Sequence, residues 1–193
     1  MDVATGLETK FCRPDGARLR LADSPQDGAS KGATIAGYAS VFGQVDRGGD
    51  IVQPGAYAAS LARLKGEGRG VKMLWQHDPA EPIGVWDHVR EDATGLFVRG
   101  RLLGDVARAR EARALIAAGA IDGLSIGYRT KRAERDGRGR RLLHELELWE
   151  VSLVTFPMLS EARVGAKGET PGDPLLQDLA AAIEAARRDM GAS

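Results

Sequence analysis

Ser125 is the residue whose setting most invites chemistry. In Ala120-Ile121-Asp122-Gly123-Leu124-Ser125-Ile126-Gly127-Tyr128, strand alternation puts Leu124, Ile126 and Tyr128 on one face and Gly123, Ser125 and Gly127 on the other. One hydroxyl thus has a residue without a side chain on each side, and glycines in strands often mark the close approach of a backbone or ligand. A nucleophile that attacks a peptide carbonyl needs that clearance. The structural alternative is a serine in a strand bent by its two glycines.

Two further segments supply partners. In Val71-Lys72-Met73-Leu74-Trp75-Gln76-His77, alternation places His77 at the end of an apolar stripe with Val71, Met73 and Trp75; a structural histidine is the plain reading. Leu146 to Phe156 reads as a central strand, with Leu146, Leu148, Glu150 and Val154 on one face and Trp149, Val151 and Leu153 on the other. Glu150 is therefore set among hydrophobic neighbours, where an unpaired carboxylate costs several kcal/mol, and it needs a partner. Glu145 and Glu147 read as solvated charges. A serine hydroxyl needs a base to take its proton, imidazole is suited to that task, and a carboxylate on the other ring nitrogen fixes the tautomer. Glu150 supplies such a carboxylate, and His77 supplies the partner Glu150 requires. Triads are defined by geometry and not by chain order, so spacing does not prove the assembly.

Other chemistries find less support. His77, His88 and His144 lack HExxH spacing, one cysteine cannot build a thiolate site, and no glycine-rich loop has phosphate-cradle spacing. A metal hydrolase remains a third option, which chelators would expose. No cofactor is expected. The 27 basic and 27 acidic residues among 193 argue against a dedicated nucleic-acid binder. Cys12, alone, excludes an internal disulfide. No apolar leader or membrane-length apolar run is apparent, so a soluble protein of a reducing compartment is expected.

The elements that must position these residues are readable in outline. Residues 1–32 read as a flexible arm with a short strand near Leu7 to Phe11, 33–166 as the main domain, and 167–193 as a linker followed by an amphipathic helix over 174–189. Within the domain a strand is expected at Thr34 to Phe42, followed by a turn-rich stretch from Gln44 to Pro54. A helix follows at Gly55 to Lys65, with Tyr57, Leu61 and Leu64 on one side. Strands are expected at Val71 to His77, Ile83 to Arg90 and Gly95 to Leu102. A second helix runs from Asp105, its N-cap candidate, to Ala118, with Leu115 and Ile116 on its buried side and Gly119 as its stop. Tyr128 to Leu142 reads as a hairpin turning at Asp136-Gly137, its many arginines forming a solvated tip.

The sequence resembles the prohead proteases of tailed bacteriophages. Six segments carry the resemblance, in the family's order: Gly37–Phe42, Gly48–Ala56, Leu74–Asp78, Pro82–Gly84, Gly119–Tyr128 and Leu148–Pro157. They cover about residues 33–166; each is weak alone, and the ordered set is specific. The resemblance implies an α+β fold, a mainly antiparallel β-barrel flanked by helices and similar to the herpesvirus maturational protease. It implies a serine endopeptidase of capsid maturation with His77, Ser125 and Glu150 as its triad, Glu150 being favoured over Glu147 and Asp122 by its distance from Ser125. The implied partners are the major capsid protein, its scaffold segment and the chain itself through self-cleavage, with no nucleic acid and no membrane. The implied place of action is the host cytoplasm, inside the assembling procapsid, in a phage, prophage or gene transfer agent. The competing reading is a catalytically inactive scaffold or capsid-binding protein of the same fold.

Overall fold

Short alternating runs punctuated by glycine turns build one sheet. The computed structural model describes residues 8–12, 20–23, 32–46 and 48–155, all within the first of two units into which the chain divides, 1–162 and 163–193. The described strands are β1 (Glu8–Cys12), β2 (Arg20–Asp23), β3 (Ala33–Val41), β4 (Asp50–Val52), β5 (Lys72–Trp75), β6 (Asp78–Glu91), β7 (Gly95–Leu102), β8 (Gly123–Arg135) and β9 (Arg141–Val154). Two helices accompany them, α1 (Ala58–Gly66) and α2 (Ala107–Ala117). The strands run in the order β1-β8-β9-β5-β6-β7-β3-β2, with β4 also paired to β9. All pairs are antiparallel except β4 and β5, which both run parallel to β9 with α1 between them in the chain.

The sheet curls, so that β3 comes against β1 and β8. Among the described residues it is a half-barrel, mostly β with two helices; there the expected barrel does not close along the hydrogen-bonded path, which ends at β1 and β2. Both end strands fall within the segment read as an arm. The inner face buries Ile35, Met73, Ile83, Leu96, Ile126 and Leu153, and Tyr57 at the start of α1 is fully enclosed with them.

Several expectations change in detail. Val106 and not Asp105 is the N-cap of α2, and no side chain caps it. The buried face of α2 is Ala109 and Ala112, small residues that let the helix lie close, while Ile116 is only partly buried and Leu115 is exposed. The Asp136 turn spans 136–140, its carboxylate accepting the Arg138 and Arg140 amides. Arg141 is not part of a solvated tip: it pairs with Asp50 and Glu8, and these bonds raise its pKa further. The linker and helix expected beyond residue 166 lie outside the described residues.

The most consequential departure is a β-bulge in β9. Gly127 pairs with Glu150 but the next residue, Tyr128, pairs with Leu148, so Trp149 has no opposite number. Directly paired residues share a face. Leu146 and Leu148 therefore join Val151 and Leu153 in the core, Glu150 turns to the other face, and Trp149 is exposed. Strict alternation had put Leu148 and Glu150 together. The Leu148 amide at this irregularity donates to Ser60 Oγ of α1, 2.9 Å away.

Candidate active site

His77 does not end a strand. β5 stops at Trp75, which pairs with Asp78, and Gln76 and His77 form the two-residue turn into β6 with φ of 51° and 64°. Positive φ at both central positions is the type I′ hairpin geometry, usually given to Asn-Gly or Asp-Gly. Neither residue here is one of those, and left-handed backbone costs an ordinary L-residue about 1–2 kcal/mol. The turn is held by the end of β9. Gln76 N–H donates to the Leu153 carbonyl (3.0 Å), the Gln76 side-chain amide to Thr155 Oγ1 (2.5 Å), and His77 N–H to Ser152 Oγ (3.2 Å). Neighbouring contacts that over-determine a strained backbone are what allow it to persist.

The bulge delivers Glu150 to this turn. Glu150 is 4% exposed; its Oε1 lies 2.5 Å from His77 Nδ1, and its Oε2 accepts the Ser152 hydroxyl at 2.5 Å. A buried charge is thus paired and hydrogen-bonded on both oxygens, as its desolvation demands. With the Nδ1 proton held by Glu150, the lone pair of the imidazole is on Nε2. Gly127 makes the arrangement possible: a Cβ there would stand 2.2 Å from Glu150 Oε1. The space beside Ser125 therefore belongs to the carboxylate, on this side at least.

Ser125 shares that face. It sits directly opposite Ser152, which pairs on its other side with Leu74 of β5, so Ser125 lies two strands from the strand that leads into the His77 turn. Ser125 is fully buried, and its hydroxyl donates to the main-chain carbonyl of Lys10 in β1, 3.1 Å away. A hydroxyl has one proton to give. In this arrangement it goes to β1, and transfer to the imidazole requires the hydroxyl to turn.

The rival carboxylates are elsewhere. Glu147 is not solvated but bridges α1 and β8, 2.5 Å from Arg63 and 2.9 Å from Lys131; the Lys131 hydrogen bond, aided by Arg63, holds its carboxyl below the usual range. Asp122 lies in the loop before β8. His88 is exposed, and His144 stands 3.6 Å from Glu134. Among the described residues no group of His, Cys, Asp or Glu could hold a metal ion, and no helix is long and apolar enough to cross a membrane.

Ser152 and the role of Gly127 escaped the sequence reading. Ser152 had a signal: two residues after Glu150 in a strand, it must share its face. What hid it was the absence of any reason, before the turn was known, to ask what a second serine would hold.

Residues 21–171 match the family model described as the caudovirus prohead serine protease. The chain is 34% identical over 155 residues to the prohead protease of Enterobacteria phage HK97, across 79% of this chain and 68% of that protein. It is similar to the solved structure of the bacteriophage T4 capsid assembly protease, with a TM-score of 0.62 over 78% of this chain and 98% of that one; at 19% identity this likeness speaks for the fold.

Proposed function

This chain belongs to the caudovirus prohead serine proteases, and we propose that it cleaves the major capsid protein or its scaffold segment, and itself, inside the assembling procapsid, using Ser125, His77 and Glu150. The observation that carries the residue assignment is the 2.5 Å pairing of Glu150 with His77 Nδ1, on the face that also bears Ser125.

The chemistry follows from that arrangement. The Ser125 oxygen attacks the substrate carbonyl carbon while its proton passes to His77 Nε2, and Glu150 stabilises the imidazolium that forms. The tetrahedral intermediate collapses as the C–N bond breaks, with the proton passing from His77 to the departing amine. Water then attacks the acyl-serine ester, giving its proton to His77. The ester C–O bond breaks, His77 returns the proton to the Ser125 oxygen, and the acid product leaves. The oxyanion donors are backbone amides in this scheme. The herpesvirus-protease-like arrangement is part of the same reading, with the curled, mainly antiparallel sheet and its two helices in its favour.

Coexpression with the capsid protein, read by mass spectrometry of that protein, tests the function. An inactive scaffold of the same fold would leave it full length, and a metal hydrolase would lose activity to a chelator.

Ser152 enters as a positioning residue, since it holds Glu150 Oε2 and the His77 amide at once. A hydrogen bond to a charged group contributes about 1.5–3 kcal/mol. Ser152→Ala is expected to lower kcat on a peptide substrate by about 10- to 100-fold with KM little changed. A wild-type kcat would show that Glu150 needs no such support.

A further inference from the structure

Resting on that assignment of Ser125 as nucleophile, we propose that β1 occupies the substrate's place. The peptide to be cut adds to the edge of β8 as an antiparallel strand, and the subsites beneath it take a lysine at the residue whose carbonyl is attacked and an acidic residue two positions before.

The first ground is the nucleophile's own contact. Ser125 is fully buried, so a substrate carbonyl reaches it only where something now stands. What its hydroxyl touches is a peptide carbonyl, that of Lys10, at 3.1 Å. β1 is a five-residue strand at the end of the sheet, antiparallel to β8, with Phe11 opposite Ser125 and Lys10 opposite Ile126. The peptide group joining Lys10 to Phe11 therefore crosses the nucleophile. Removing β1 leaves an open strand edge from Leu124 to Tyr128, the kind of edge to which extended peptides add, main-chain bonds giving affinity and alternate side chains giving specificity.

The second ground is where those alternate side chains go. Lys10 leaves the strand on the face away from Ser125, the face of Ile126, and is 5% exposed. A buried ammonium must be paired. Lys10 Nζ lies 3.0 Å from Asp46 Oδ2 and donates to the Asp50 carbonyl at 3.2 Å. Asp46 is fixed for this role: its Oδ1 accepts the Asp50 amide at 2.8 Å, which turns Oδ2 to the ammonium. The Asp50 carboxylate is already taken by Arg141, so the Asp46 charge is the one that the lysine answers. Glu8 sits on the same face two residues earlier, its carboxylate bonded to the Thr130 amide and hydroxyl and to Arg141. The hydroxyl thus stands over one side of the peptide group while the recognised side chains enter from the other. A substrate reading acid-any-lysine satisfies both subsites; an acidic residue in the lysine's place would set like charge against Asp46.

Quenched fluorescent peptides carrying Glu-Thr-Lys-Phe, with lysine or the first glutamate replaced singly, test this on the full-length protein. To weaken the tethered competitor, the assays are repeated with Lys10→Ala. That variant is expected to cut the parent peptide at least 10-fold faster in kcat/KM than wild type. Replacing the peptide lysine by alanine should lower kcat/KM by at least 30-fold, by glutamate further, and replacing its glutamate by alanine about 5-fold. In the Lys10→Ala, Asp46→Asn double variant the lysine and alanine peptides should converge to within about threefold. Equal cleavage of lysine, alanine and glutamate peptides, or no gain from Lys10→Ala, would overturn the proposal without reference to any Asp46 variant. Fluorescence anisotropy of the same peptides on a Lys10→Ala, Ser125→Ala variant separates the two readings: lysine-selective binding there supports the docking site even if Ser125 proves not to be the nucleophile.

Discussion

Ser125→Ala is expected to abolish processing of coexpressed capsid protein while the chain folds as before. The substitution removes one oxygen from a fully buried strand position and, with it, one hydrogen bond to the Lys10 carbonyl. A neutral hydrogen bond contributes about 1 kcal/mol net, so the melting transition should move by only a few degrees. Against that, loss of the attacking atom leaves at most the residual catalysis that binding and an oxyanion site provide, a fall of several orders of magnitude in kcat. The contrast between a small stability change and a total loss of cleavage separates a nucleophile from a packing serine. Thermal unfolding of the variant reads the first, and mass spectrometry of the capsid protein and of the protease itself reads the second. Capsid protein trimmed at the wild-type rate in the presence of the variant would remove Ser125 from the mechanism.

Glu150→Gln should have the next largest effect, and its size carries information. Charge loss alone weakens a charge-assisted bond by about 1.5–3 kcal/mol, or roughly 10- to 150-fold. If the amide also turns its NH2 toward His77 Nδ1, the imidazole is held in the wrong tautomer and the fall approaches about 10⁴-fold. Ser152 biases the outcome, because its hydroxyl proton is drawn to the carbonyl oxygen of the new side chain and leaves the NH2 for the ring. Glu147→Gln is the control. It breaks two ion pairs, to Arg63 and Lys131, whose cationic side chains are about half exposed, and should reduce stability by less than about 1 kcal/mol with kcat unchanged. That loss should be seen at neutral pH and vanish in acid. The folded-state carboxyl lies below its ordinary value, so its contribution is present above the unfolded pKa and lost as pH falls through the folded one. Steady-state kinetics on a peptide substrate ranks the two variants. A Glu150→Gln enzyme within threefold of wild type would mean that His77 is not oriented by this carboxylate.

Much of this site is legible in the chain because strands have a period of two. Gly123, Ser125 and Gly127 fall on one face by counting alone, and the cost of burying Glu150 without a partner points to a nearby base. What counting misses is where the period breaks. The bulge at Trp149 changes the side on which Glu150 emerges, and a bulge made by tryptophan has no local signature of the kind that glycine gives. The turn at Gln76-His77 is hidden for the same reason: it adopts the backbone of Asn-Gly with neither residue, so alternation carries the apolar stripe on to His77. The place of β1 beside Ser125 depends on pairing between residues more than a hundred apart in sequence, and no periodicity reports that. Among the elements away from the site, α2 is expected to bury its large residues and instead buries alanines, since side-chain size in a helix does not reveal how close the neighbouring sheet lies.

If His77 is the base proposed above, its backbone sets folding and chemistry against one another. At a two-residue hairpin turn the residues most favourable for folding are asparagine and glycine, and two left-handed residues of other types are a standing cost. Selection for expression or heat resistance alone would drift toward Asn-Gly at positions 76 and 77, tightening the hairpin and discarding the imidazole. A lineage that no longer needs to cut protein has the same route open to it. Under the proposed triad, a chain of this fold with left-handed-tolerant residues in place of Gln76 and His77 is expected to keep the hairpin and lose the reaction, which assay of a Gln76→Asn, His77→Gly double variant for stability and cleavage would check.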